Sequence, residues 1–120
     1  MLFKKHHVNM IKSGIKTETR RNWKKQMVKM NGIYSVQIKM FQPKIDCELI
    51  KVKYIFMQKL KDITKEQALK EGYNSIEEFK KIFENINGFW DDELEVFVIG
   101  FKHLNSKIRR NHIENKHFKI

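Results

Sequence analysis

The sequence predicts an α+β domain, and three observations carry that expectation. Two segments alternate apolar and polar residues with period two: Tyr34, Val36, Ile38 and Met40, then Ile50, Val52, Tyr54 and Phe56. Such alternation argues for half-buried strands. Two capping-box motifs, Thr64-Lys65-Glu66-Gln67 and Ser75-Ile76-Glu77-Glu78, open an acidic, helix-patterned segment. The near-continuous apolar run within Glu95 to Phe101 reads as a central strand covered on both faces.

Taken in order, Leu2-Phe3-Lys4 reads as a short opening strand and His6 to Ser13 as a short helix with Val8 and Ile11 on one face. Gly14 stands where a helix C′ residue turns left-handed, which glycine does without a Cβ penalty. Ile15 to Arg21 is charged and extended, and Asn22 to Asn31 is a lysine-rich loop closing at the turn dipeptide Asn31-Gly32. The two alternating strands follow, joined by a connection that holds the only proline, Pro43. Glu71-Gly72-Tyr73-Asn74 breaks the acidic segment into two helices. In the second, Ile76, Phe79, Phe83 and Ile86 recur at helical spacing until Asn87-Gly88 ends it. Trp90 is expected to cap the core. Residues 105–120 are basic and polar, anchored by little more than Ile108, Ile113, Phe118 and Ile120, and read as a tail.

Composition narrows the function classes. The chain has 120 residues, 41% of them hydrophobic, which suits one modest domain. No apolar run approaches the ~18–20 residues of a membrane span. The opening residues lack the apolar core and cleavage site of a secretory signal. A single cysteine, Cys47, excludes an internal disulfide and has no CxxC partner. Together these lead us to expect a reducing, cytoplasmic setting with no membrane partner. His6, His7, His103, His112 and His117 lack metal-ligand spacing, so neither a metal nor another cofactor is expected. The net charge of +11 is unevenly spread: residues 1–30 carry nine Lys or Arg and one acid, residues 61–100 five and ten. That asymmetry favours a polyanionic partner met by the basic part. A lysine-rich codon bias would produce the same total.

The stretch Ser13-Gly14-Ile15-Lys16-Thr17-Glu18-Thr19-Arg20-Arg21 resembles the signature of the ASCH domain, a branch of the PUA-like superfamily. In that signature a helix ends in Gly and a Lys-Thr-x-Thr-x-Arg strand runs into the binding cleft. Leu60-Lys61-Asp62-Ile63-Thr64, Glu71-Gly72-Tyr73, Ser75-x-x-Glu78-Phe79 and Val96-Phe97-Val98-Ile99-Gly100-Phe101 follow in the family's order. The resemblance covers residues 1–104. It implies a partly open β-barrel with flanking helices and a cleft for RNA, single-stranded nucleic acid or a modified nucleoside.

Two functions follow from the resemblance. The first is RNA or nucleotide binding through Lys16, Arg20, Arg21, Trp23, Lys24, Lys25 and Tyr73. In that reading the cations meet phosphates and the rings stack on unpaired bases. The second is the activity of the small amidohydrolases that deacetylate N4-acetylcytidine. It would make Lys16 the general base, Thr19 the nucleophile and Glu71 the proton donor, with Arg21 as the motif arginine. Three apart on an extended strand, Lys16 and Thr19 would face opposite ways, so a bulge or twist is needed to bring them together. Each residue also has a plainer reading. Lys16 with Glu71 would be a structural ion pair, Thr17 and Thr19 ordinary strand residues, and Trp23 a packing residue.

Overall fold

The computed structural model describes residues 1–40, 42–43 and 47–105. The expected tail lies outside the described residues from position 106 onward. Helix α1 (Lys5–Lys12) is followed by strands β1 (Glu18–Arg21), β2 (Ile33–Val36) and β3 (Glu48–Lys59). A 3-10 turn (Leu60–Asp62) leads to helices α2 (Lys65–Lys70) and α3 (Ile76–Asn87), and strand β4 (Glu95–Leu104) closes the order. The strands form one curled antiparallel sheet in the order β1-β4-β3-β2, a half-barrel with helices, α+β in class.

Strand β4 is central, flanked by β1 and β3, as its unbroken apolar run requires. Val96, Val98 and Ile99 are fully buried. A register shift in β3 between Val52 and Tyr54 marks a bulge, so the alternation of its first half does not carry through. Val52 is fully buried, whereas Phe56 is largely exposed.

The expected long strand from Tyr34 to Met40 ends at Val36. Its partner β3 begins at Glu48, opposite Val36, and among the described residues no strand pairs with Ile38 or Met40, which are exposed. The expected opening strand reduces to a single parallel bridge between Leu2 and Gln37.

The helix ends follow their chemistry. Gly14 (φ 79°) and Gly88 (φ 83°) take the left-handed conformation at the ends of α1 and α3. The Thr64–Gln67 capping box is complete. At α3 the Ser75 hydroxyl accepts from the Glu78 N–H, while the Glu78 carboxylate accepts from the N–H of Asn74 rather than that of Ser75. Phe79 and Phe83 join the core with Trp90 packed against it, but Ile86 is half exposed.

Candidate functional site

A cleft of about 480 Å³ opens between the N-terminal segment, β1, the 38–40 segment beyond β2, the α2–α3 turn and α3. Among the described residues its charged lining is Lys4, Lys16, Arg20, Arg21 and Lys39 against a single carboxylate, Glu71. Thr19, Trp23, Tyr73 and Phe79 complete the floor and walls, and Ile38, Met40 and Ile86 form an apolar mouth.

Glu71 reaches this cleft because of how α2 ends. It is the C-cap of α2, and Gly72 beyond it turns left-handed (φ 98°). The Tyr73 N–H then donates to the Ala68 carbonyl and the Gly72 N–H to that of Leu69, a Schellman closure that fixes Glu71 and Tyr73 together. Lys16 lies two residues ahead of β1, so strand alternation does not govern its direction. The bulge or twist expected between Lys16 and Thr19 is therefore not required, and both line the cleft.

Beneath the surface lies a buried ionic cluster. The Lys16 Nζ donates to Glu71 Oε1 (2.9 Å), to the Glu71 carbonyl (2.9 Å) and to the Glu18 carbonyl (3.0 Å). Those three acceptors occupy all three of its N–H bonds. Arg20 Nη1 donates to Glu71 Oε2 (3.1 Å) and to Glu18 Oε1 (3.0 Å), and Arg20 Nε donates to Gln58 Oε1 (3.0 Å). Gln58 in turn donates to Gln67, the third helical residue of the α2 capping box, at 2.9 Å. The Tyr54 hydroxyl donates to the other oxygen of Glu18. Lys16, Glu18, Arg20 and Glu71 are all buried. Arg20 Nη2 is buried without a hydrogen-bond partner, and the guanidinium lies 5.9 Å from the Phe79 ring centre.

Arg21 forms one wall. Its Nε donates to the Thr19 hydroxyl (3.0 Å), its Nη2 to the Leu2 carbonyl (2.6 Å), and its guanidinium lies 4.7 Å over the Phe3 ring. The Tyr73 hydroxyl and His7 Nε2, which also line the cleft, share a hydrogen bond of 2.9 Å. Burial first, then the nearby charges of Lys16, His6, Arg21 and Lys4, lower the His7 pKa to about 3, which keeps the imidazole neutral. Burial lowers the Lys16 pKa, with Arg21 and Arg20 adding to the shift and Glu71 opposing it. Burial pushes the Tyr73 hydroxyl up, helped by Glu71.

The structure brings Lys16, Thr19, Arg20, Arg21, Trp23, Glu71 and Tyr73 to one cleft. Lys24 and Lys25 are exposed and do not line it. Lys16 and Arg20 form its underside, their side chains almost wholly shielded from solvent. Trp23 is half-buried against Phe97, ring centres 5.8 Å apart, and also forms part of the lining. Tyr73 belongs to the core through one face and to the cleft through its edge with His7. Sequence reasoning missed His7, Glu18, Tyr54 and Gln58. Only His7 carried a signal, being one helical turn before Ile11 on the buried face of α1. Among the described residues no group of three or more His, Cys, Asp or Glu is arranged to hold a metal. No helix among them is long and apolar enough to cross a membrane.

Comparison with solved structures agrees on the architecture. An ASCH domain from Lactobacillus crispatus superposes with a TM-score of 0.69 at 13% identity, over 86% of this chain and 76% of that one. A protein from Enterococcus faecalis, of the family DUF984, gives 0.65 at 14% identity over 82% and 67%. The hypothetical protein PH0355 gives 0.63 at 20% identity over 85% and 94%. No protein-family model and no curated protein matches the chain. The fold is of the ASCH type.

Proposed function

We propose that the cleft binds a nucleotide, free or as one unit of an RNA chain. The observation that carries this reading is the lining itself: among the described residues, five cations against one carboxylate, beside the rings of Trp23, Tyr73 and Phe79. A volume of about 480 Å³ falls within the ordinary range of small-ligand sites, about 300–1,000 Å³. Arg21 and the exposed Lys4 and Lys39 meet phosphate at the wall and rim. The Thr19 hydroxyl and the Glu71 carboxylate read a base edge. Lys16 and Arg20 act through their field from below. Lys24 and Lys25, beside Trp23 in the chain, meet further phosphates only where the ligand is a polymer.

The test is titration with each ribonucleoside 5′-monophosphate and with a short labelled single-stranded RNA at rising salt. Saturable binding that weakens with salt is expected. Absence of saturable binding by every ligand at low salt refutes the reading.

A second reading, hydrolysis of N4-acetylcytidine or a related small amide, draws on Lys16, Thr19 and Glu71 sharing the cleft and on the lowered Lys16 pKa. It requires Lys16 to give up a proton now held among three acceptors. Incubation with N4-acetylcytidine over a range of pH, with cytidine as the product sought, tests it. No cytidine at any pH retires it.

A further inference from the structure

We infer that Glu18, which does not line the cleft, sets the cleft's charge and thereby its preference for a nucleotide over the corresponding nucleoside; the inference rests on the nucleotide reading above. Glu18 opens β1 and is 2% exposed. One carboxylate oxygen accepts from Arg20 Nη1 at 3.0 Å and the other from the Tyr54 hydroxyl, so the group is held from two sides. Tyr54 stands there because its register partner, Gly100, has no Cβ, and a Cβ at that position would strike the tyrosine ring.

The net charge follows from the same contacts. Lys16, Arg20 and Arg21 against Glu18 and Glu71 leave 3 − 2 = +1 at the cleft floor. Without the Glu18 carboxylate the same group carries +2. Glu18 therefore cancels Arg20, leaving Glu71 to Lys16, and of this group Arg21 is the cation that a ligand meets, beside Lys4 and Lys39 at the rim. The cluster is shielded from water, so a change of charge there is felt in the cleft. A phosphate feels that change and a neutral nucleoside does not. Affinity for the two ligands should therefore separate when Glu18 is altered, whereas a loss of fold would lower both together.

The experiment measures the affinity of the full chain for cytidine and for cytidine 5′-monophosphate, with thermal melts to establish folding. Glu18→Gln should raise the ratio of monophosphate to nucleoside affinity about tenfold, as one unit charge ~10 Å away at an effective dielectric near ~20 would do. Arg20→Gln should lower it by about the same factor. The double variant Glu18→Gln with Arg20→Gln removes the pair together, a change that folds more readily than leaving one buried charge alone. It restores +1 and should return the ratio to within about twofold of the wild type. Tyr54→Phe leaves every charge in place and should leave the ratio within about twofold as well. A ratio unmoved in both single variants overturns the inference. So does a tenfold shift in the double variant, which decides the matter if the single variants do not fold, or a tenfold shift in Tyr54→Phe. A wild type that binds neither ligand defeats the nucleotide reading itself and is recognised before any variant is compared.

Discussion

Replacing His7 with glutamine should change the direction of the protein's response to mild acid relative to the wild type. His7 is 5% exposed on the inner face of α1, and its pKa falls from 6.5 in the unfolded chain to about 3 in the folded one. Between those two values the unfolded chain holds more protons, so folding loses stability as pH falls. The stability contributed by the neutral imidazole is complete above about pH 6.5 and is lost progressively toward about pH 3. At 1.36 kcal/mol per pKa unit, the loss by pH ~5 is about 2 kcal/mol. Glutamine does not titrate and still offers the Tyr73 hydroxyl a polar partner. Its poorer fit should cost about 1 kcal/mol near neutral pH. The wild type should therefore be the more stable protein by about 1 kcal/mol at pH ~7.5 and the less stable by about that much at pH ~5, with the two curves crossing near pH ~6. Urea denaturation of both proteins at these pH values measures the difference directly, and titrations common to both cancel. Parallel curves would show that His7 takes up a proton in the folded state and would refute the reasoning.

Three further outcomes follow from named interactions. Gly100→Ala should displace the Tyr54 ring and sever its bond to Glu18, lowering stability by about 2–4 kcal/mol in a denaturant melt. Thr64→Ala removes the hydroxyl that caps the Gln67 N–H and should cost about 1 kcal/mol. It also loosens Gln67, which holds Gln58 against Arg20, so ligand affinity should fall with stability. Arg21→Ala should weaken nucleotide binding and flatten the salt dependence by ~1 in slope for each phosphate it ceases to neutralise, measured by titration at several salt concentrations.

Much of the fold was legible because local chemistry decided it. Gly14, Gly88 and the Thr64 cap set helix ends through conformations and hydrogen bonds made within a few residues. The run at Val96 to Phe101 announced a central strand through burial on both faces. What failed was what depends on a distant partner. Ile38 and Met40 continue the period-two pattern, yet β3 begins opposite Val36 and offers them nothing to pair with. The site divides in the same way. Lys16, Thr19 and Glu71 were readable from a motif and a helix end. The Glu18–Tyr54 contact spans 36 residues and depends on a bulge that alternation cannot reveal. Arg20 was expected to meet phosphate and Glu18 was given no role, whereas the two are buried together, each answering the other.

The buried cluster bears on which function the cleft serves. Replacing such an ion-pair group with apolar side chains of similar volume is often neutral or stabilising by about 1–4 kcal/mol, so stability alone does not account for it. What the cluster supplies is a polar floor already in position. All three N–H bonds of Lys16 and both carboxylate oxygens of Glu71 are engaged before any ligand arrives. A phosphate or base edge entering the cleft meets fixed charges and leaves them in place, so no reorganisation opposes binding. Proton abstraction asks the opposite of the same lysine, which would have to release a proton shared among three acceptors. The way Lys16 is held thus supports the nucleotide-binding proposal over the general-base one. Glu71→Gln keeps an oxygen acceptor for Lys16 but removes one negative charge from the cleft, so it should raise the ratio of monophosphate to nucleoside affinity in the same direction as Glu18→Gln.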